Sequence, residues 1–248
     1  MLGAHPVDGM IVEQPSAKQG PELGQGEKGI RWHSVLKEAG LLFAATEFGR
    51  LTAQDFTREA LKGPYFKDYI RSLKGFHGWD DGDPWLTNYV VHPMGGSTYM
   101  WIVNQNNPKG ARQDFDPGSR AYWNSRLKGV GFAAAYSTFY ELGPIGDAAI
   151  GNVGMKPGTK GAVDLVITPT AGMGWNVTED MIDKYFIRWV ETKTGNVALN
   201  LIVRTWFNPT RSVANMLRFR TPWRRDTRGN LTQLRTEHES RRLGTERP

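Results

Sequence analysis

No cysteine occurs among the 248 residues, which removes disulfides, thiolate-bound zinc, a thiol nucleophile and protein-borne thiol redox chemistry together. A long apolar run is missing as well. Met1 to Lys28 is rich in Gly, Pro, Gln and Glu. It has neither the basic start nor the hydrophobic stretch of about seven to fifteen residues that an export signal needs, and it reads as a disordered lead. Pro84 to Pro108 carries no formal charge when His92 is neutral, and it is long enough to cross a bilayer. Asn88, Gly95, Gly96, Asn104, Gln105 and Asn106 dilute it, so a buried or interfacial helix is expected there rather than a membrane span. Nucleotide and serine-hydrolase signatures are also absent. No glycine-rich loop ends in Lys followed by Ser or Thr, and none of Ser97, Ser125 and Ser137 lies in a Gly-x-Ser-x-Gly elbow. No cofactor is called for.

What is present supports a folded domain. Apolar residues make up 39% of the chain and aromatics 11%, enough for a real core at this length. The net charge of +6 is concentrated near the end, where Arg218 to Pro248 holds nine arginines against Asp226, Glu237, Glu239 and Glu246, so the body before it is nearly neutral. Val35, Leu36, Ala39, Leu42, Phe43 and Thr46 predict a helix over about residues 33 to 50, with Ser34 as its cap. Thr52 to Gly63 and Pro64 to Lys74 continue in the same style. A helix opened by Ser119 runs to about Leu142, and along it Ser125, Gly129, Ala133 and Ser137 form a ridge of small residues ending at Glu141. Gly143 to Gly158 reads as a loop. Residues 160 to 193 return to helix, with breaks expected at Pro169 and at Gly172-Met173-Gly174 and a fresh start at Thr178-Glu179-Asp180. Val197 to Phe207 suits strand or helix, and Asn208-Pro209 argues for a kinked helical hairpin. The expected fold is all-α, a compact bundle of about six to eight helices, several broken at Pro or Gly. It occupies residues 31–220 as one domain, with disordered tails at 1–30 and 221–248.

Two stretches 76 positions apart read as near copies: Asn88-Tyr89-Val90-Val91-His92-Pro93-Met94-Gly95-Gly96 and Asp164-Leu165-Val166-Ile167-Thr168-Pro169-Thr170-Ala171-Gly172. Each places two hydrogen-bonding side chains one helical turn apart just before a proline, whose ring removes a backbone bond. A helix interrupted beside polar residues is a place where a site can be built. Ahead of the first copy stands the acidic turn Trp79-Asp80-Asp81-Gly82-Asp83-Pro84, in which Asp83 suits a helix cap and Pro84 the first helical position. A calcium loop does not fit, because Trp85 and Tyr89 stand where oxygen ligands would be required.

The run Gly78 to Gly96, the later Tyr140-Glu141-Leu142-Gly143-Pro144 and Val163 to Pro169 together resemble an uncharacterised family of bacterial hypothetical proteins, generally assigned to the cell envelope. The resemblance spans about residues 75 to 225 and is most specific at the His-Pro-x-x-Gly segment. It implies an envelope setting, periplasmic or membrane-associated, and carries no reaction. This chain departs from the family in having no export signal, which implies a cytoplasmic place if its start is genuine.

If the two copies pack side by side, His92, Glu141 and Asp164 meet as a catalytic set, with Asp81, Asp83, Asn88, Tyr99 and Thr168 on its binding side. An imidazole beside a carboxylate is the minimum for acid–base chemistry. The same three side chains could instead hold a divalent metal or form a satisfied polar network tying helices together. Three functional classes follow. The first is a structural or interaction protein resting on a membrane surface or lipid through its aromatics and Arg-rich tail. The second is a hydrolase or transferase acting on a lipid or other amphiphile through His92 with Asp164 and Glu141. The third, nucleic-acid binding through Arg218 to Arg242, is opposed by the tail having only Phe219 and Trp223 to stack on bases and no reading module. The oligomeric state leaves no trace in the sequence.

Overall fold

Helical spacing of apolar residues governs the chain from its first described turn. In the computed structural model, which describes residues 29–151, 161–229 and 231–243, helix accounts for 72% and no strand is found among the described residues. The expected all-α bundle is therefore what forms. Helix α1 runs from Trp32 to Ala53, starting ahead of Ser34, and is followed by α2 (Asp55–Ala60) and α3 (Tyr65–Gly75). After the acidic turn comes a π-helical turn, Thr87–Val91, that leads directly into α4 (His92–Gln105). Its cause is local: the ring of Pro93 would collide with the carbonyl of Tyr89 in a regular helix, and widening lets the amide of His92 donate to Thr87 O instead. Helix α5 spans Arg120–Leu142 and is capped by Ser119, whose hydroxyl accepts from the amide of Tyr122 at 3.2 Å.

The loop expected at Gly143 to Gly158 contains a second π turn, Asp147–Gly151, and its later residues lie outside the described ones, as do the lead 1–28 and residues 244–248. Helix α6 (Val163–Ile182) differs from expectation. It runs unbroken past Pro169 and past Gly172-Met173-Gly174, then through a π turn (Asp183–Ile187) into α7 (Arg188–Lys193). Packing overrides the local weakness here, because Gly172 lies against the backbone of Pro93 and Gly96 on α4. Thr178-Glu179-Asp180 is accordingly mid-helix. Glu179 turns inward to accept from the amides of Thr210 and Arg211 at 2.9 and 3.1 Å, capping the start of another helix. Val197 to Phe207 resolves as helix: α8 (Val197–Trp206), capped by Asn196, precedes α9 (Pro209–Leu217).

Helix α4 lies at the centre, packed by α1, α5, α6 and α9. Val35, Trp101, Ile102, Val103 and Ala214 form its apolar cluster. The small-residue ridge on α5 is buried as expected, and Gly129 sits so close to Met100 that an added methyl would lie 3.0 Å from its side chain. Much of the rest of the interior is polar. Arg126, Arg204, Asn104, Asn176 and Asn200 are among the largest fully enclosed side chains. On α1 the charges of Glu38 and Glu47 point inward while Leu36 and Phe48 point out. No helix among the described residues is long and apolar enough to cross a membrane.

The segment after Pro222, expected to be solvated because it has almost no apolar content, is instead fixed by charge. Arg225 is buried and donates to Asp183 at 2.7 Å; Arg228 reaches Asp183 at 2.6 Å and Glu191 at 2.8 Å. Arg204 from α8 completes the group at 2.6 Å from Glu191. Beyond it, α10 (Leu231–Arg242) packs on α8. An arm anchored by ion pairs leaves no hydrophobic periodicity to read.

Candidate functional site

The two repeated segments do lie side by side. Gly96 closes one copy and Gly172 the other, and they meet where α4 crosses α6. A Cβ on Gly96 would fall 1.9 Å from Thr168 O, and one on Gly172 would fall 3.1 Å from Gly96 and from Pro93 O. Backbone-to-backbone contact at this crossing brings the side chains one turn earlier on each helix together. His92 Nε2 lies 3.5 Å from Asp164 Oδ2. Ser137 on α5 donates to the backbone carbonyl of Asp164 at 3.0 Å, and one turn further along α5 stands Glu141. One ligand-type atom each from His92, Glu141 and Asp164 lies within 4.8 Å of the other two.

The acidic turn closes over this group. Gly78 and Gly82 take φ of 78° and 87°, the left-handed region that glycine enters without strain. Asp80 and Asp81 accept from the amides two residues on, at 3.1 and 2.9 Å. Asp81 Oδ1 also accepts from Asn88 Nδ2 at 2.8 Å, so the first polar residue of the first copy fixes the turn. Gly161 is required at the contact, since a Cβ there would lie 2.5 Å from Asp81 Cβ. The carboxylate of Asp83, which the sequence suits to a cap, lies 3.9 Å from His92 Nε2.

The electrostatics are one-sided. Among the described residues Asp81, Asp83, Glu141 and Asp164 gather around His92, and Arg50, whose guanidinium acts on Glu141, is engaged with Glu47 and Asp147. Burial pushes the Glu141 carboxyl up to about 8, with Asp81 and Asp83 adding to the effect and Arg50 opposing it. Burial likewise raises Asp164 to about 8, against the pull of His92 and with the help of Glu141 and Asp81. For His92 burial alone would favour the neutral ring, but the facing carboxylates outweigh it and hold its pKa above the ordinary value. The Asp164 side chain is 4% exposed and that of His92 22%, so the group is closed on the carboxylate side and reached from solvent past His92 and Asp83.

The network is not saturated. Among the described residues Asp164 Oδ1, Asn88 Oδ1 and Thr168 Oγ1 are buried without a hydrogen-bond partner. Tyr99 stands further along α4 with its ring 4.2 Å from that of Tyr136, and burial above all raises its phenol well above the usual value, with Tyr136, Tyr140, Glu141 and Asp164 adding to it. It is a wall of the site rather than a member. Sequence reasoning missed Arg50, Ser137 in its role at Asp164, and Gly161. Only Ser137 had a signal, its place on the ridge that ends at Glu141.

No protein-family model, curated protein or solved structure matches this chain.

Proposed function

We propose that the protein is a metal-dependent hydrolase or transferase in which one divalent cation is held by His92, Glu141 and Asp164. The observation that carries this reading is the convergence of one imidazole and two enclosed carboxylates from separate helices within 4.8 Å. Ligands about 2.1 Å from a common ion stand roughly 3 to 4 Å apart, so side-chain movements of about 1 Å complete the shell. Two neighbouring acids with so little compensating charge among the described residues require either protons or a cation, and Asp164 keeps one oxygen without a partner among them. One imidazole with two carboxylates suits Zn²⁺, Mn²⁺ or Fe²⁺. Three protein ligands leave a position for water, whose proton the cation loosens. Asp83, beside His92 and open to solvent, is placed to accept that proton.

The substrate side is apolar. Trp85, Leu86, Tyr89 and Val91 are exposed immediately before His92, with Trp85 stacked on Tyr89 at 5.7 Å and Trp79 donating to the Tyr89 hydroxyl. This collar favours an amphiphile as substrate.

Calorimetric titration of the full chain with Zn²⁺ and Mn²⁺ tests the reading. One ion per chain is expected, with affinity lower by at least about tenfold in Asp164→Asn and in Glu141→Gln while the circular dichroism spectrum is kept. Failure of either ion to bind stoichiometrically, or unchanged binding in the double variant, overturns it. Ester hydrolysis that survives chelation would return the centre to imidazole–carboxylate proton transfer.

A further inference from the structure

A second site lies at the other end of α4. His92 opens that helix and Gln105 closes it, so the two sites are about 20 Å apart at 1.5 Å per residue. Between α1, the end of α4 and the end of α9 is a cavity of about 460 Å³. Six cationic side chains line it: Arg31, Lys37, Arg112, Arg218, Arg220 and Arg224. Among the described residues only two carboxylates face them, and both are already engaged. Asp226 accepts from Arg218 at 2.7 Å and from Arg224 at 3.0 Å, while Glu38 accepts from Gln105 and Asn106 at 2.6 and 2.8 Å. Among the described residues no carboxylate pairs with Lys37, Arg112 or Arg220. Cations gathered around a concavity without counter-charge repel one another unless an anion joins them.

The lip of this cavity carries an independent mark. Helix α9 ends in a double hydrogen-bonded turn in which the amide of Phe219 donates to Met216 O and that of Arg220 to Asn215 O, each at 2.9 Å. The residue in the left-handed position of such a turn is ordinarily glycine. Here it is Phe219, at φ 57°, the single non-glycine residue at positive φ among the described residues. Its ring is not stabilised by burial, being 75% exposed, and Lys37 Nζ stands 5.5 Å from its centre. An aromatic kept in a strained, exposed conformation at the mouth of a basic cavity points to something that lies on the ring.

We infer that this cavity binds a phosphate ester, its phosphate held by Lys37, Arg112 and Arg220 and its apolar part resting on Phe219. The guanidinium forks match phosphate oxygens, and the ring supplies a surface that inorganic phosphate cannot use. The same chemistry is offered by a soluble phosphate ester and by the headgroup of an anionic lipid.

The experiment uses the full chain with inorganic phosphate, phenyl phosphate and vesicles of phosphatidylcholine alone or equimolar with phosphatidic acid. Phenyl phosphate is expected to saturate one site more tightly than inorganic phosphate, and Lys37→Glu and Arg220→Glu each to weaken it by at least about tenfold, the loss of one charge-assisted hydrogen bond. Phe219→Gly is expected to abolish the preference for the phenyl ester while melting no lower than the parent, because glycine relieves the turn. Co-sedimentation with phosphatidic acid vesicles that is lost in the same variants assigns the ligand to lipid, and saturation by phenyl phosphate alone assigns it to a soluble ester. The inference is overturned if chloride at equal ionic strength competes as well as phosphate, if neither phosphate nor phosphatidic acid vesicles bind, or if both charge reversals bind like the parent.

Discussion

Replacing Gly96 with alanine tests whether the crossing of α4 and α6 sets the geometry of the candidate metal centre. The added methyl would lie 1.9 Å from Thr168 O and 2.8 Å from its carbonyl carbon, whereas ordinary contact begins near 3.4 Å. Backbone atoms cannot swing aside, so the helices must part by about 1.5 Å. Overpacking of this kind costs about 1–3 kcal/mol, offset by at most about 1 kcal/mol from the better helix propensity of alanine. A net loss of about 2 kcal/mol lowers the melting temperature of a domain this size by roughly 4–8 °C. His92 and Asp164 sit one turn before the contact on their respective helices, so the same displacement pulls imidazole and carboxylate apart. Zn²⁺ affinity should fall by at least about tenfold, since such sites tolerate only about 0.5 Å of looseness. Gly131→Ala is the control: nothing lies within 4 Å of its Cβ position on α5, and it should gain about 0.5–1 kcal/mol. Thermal unfolding followed by circular dichroism, with a calorimetric Zn²⁺ titration of each variant, gives both readouts. A Gly96→Ala protein that melts and binds like the parent would refute the reasoning.

Other outcomes follow from the charged interior. Because Glu141 and Asp164 are raised to about 8, the folded metal-free protein keeps protons that the unfolded chain releases near pH 4. These two groups therefore make its stability fall as pH rises from about 4 to about 8. Zn²⁺ affinity should rise over the upper part of that range as protons are displaced, and denaturation at a series of pH values with and without Zn²⁺ reads both slopes. Asp183 has the opposite sign. Burial opposes its ionisation, but Arg225, Arg211 and Arg228 hold it well below the ordinary carboxylate range, so its contribution is full above about pH 4 and is lost as pH falls through its lowered value. Asp183→Ala takes the carboxylate partner from buried Arg225 and from Arg211 and should cost about 3–5 kcal/mol, measurable by urea unfolding. Glu179→Gln weakens the charged cap on α9 and should cost about 1–2 kcal/mol by the same assay, with metal binding retained.

The candidate site was legible because it rests on short-range pattern. Proline positions, one-turn spacing of polar groups and the closing glycines of the two copies are all local features, and together they locate His92, Asp164 and the face that carries Glu141. The continuity of α6 was not legible, because Pro169, Gly172 and Gly174 weaken a helix locally and only the neighbouring backbone of α4 explains why it persists. Arg50 could not be found either. It approaches the site from the far end of α1, and nothing in its own surroundings marks it. The segment after Pro222 is the clearest case. Hydrophobic periodicity detects burial driven by the expulsion of water from apolar surface, and Arg225 is buried by charge pairing.

That anchored arm makes the stability of the core depend on its own last stretch of chain. A protease cutting after Pro222 would remove no apolar core residue of α4 to α9, yet it would withdraw from Asp183 and Glu191 the guanidinium groups of Arg225 and Arg228. Asp183 would then keep only Arg211, at 3.5 Å, and Glu191 only Arg204, at 2.6 Å, so two buried carboxylates would lose part of the positive charge that holds them ionised and the bundle would lose stability at neutral pH.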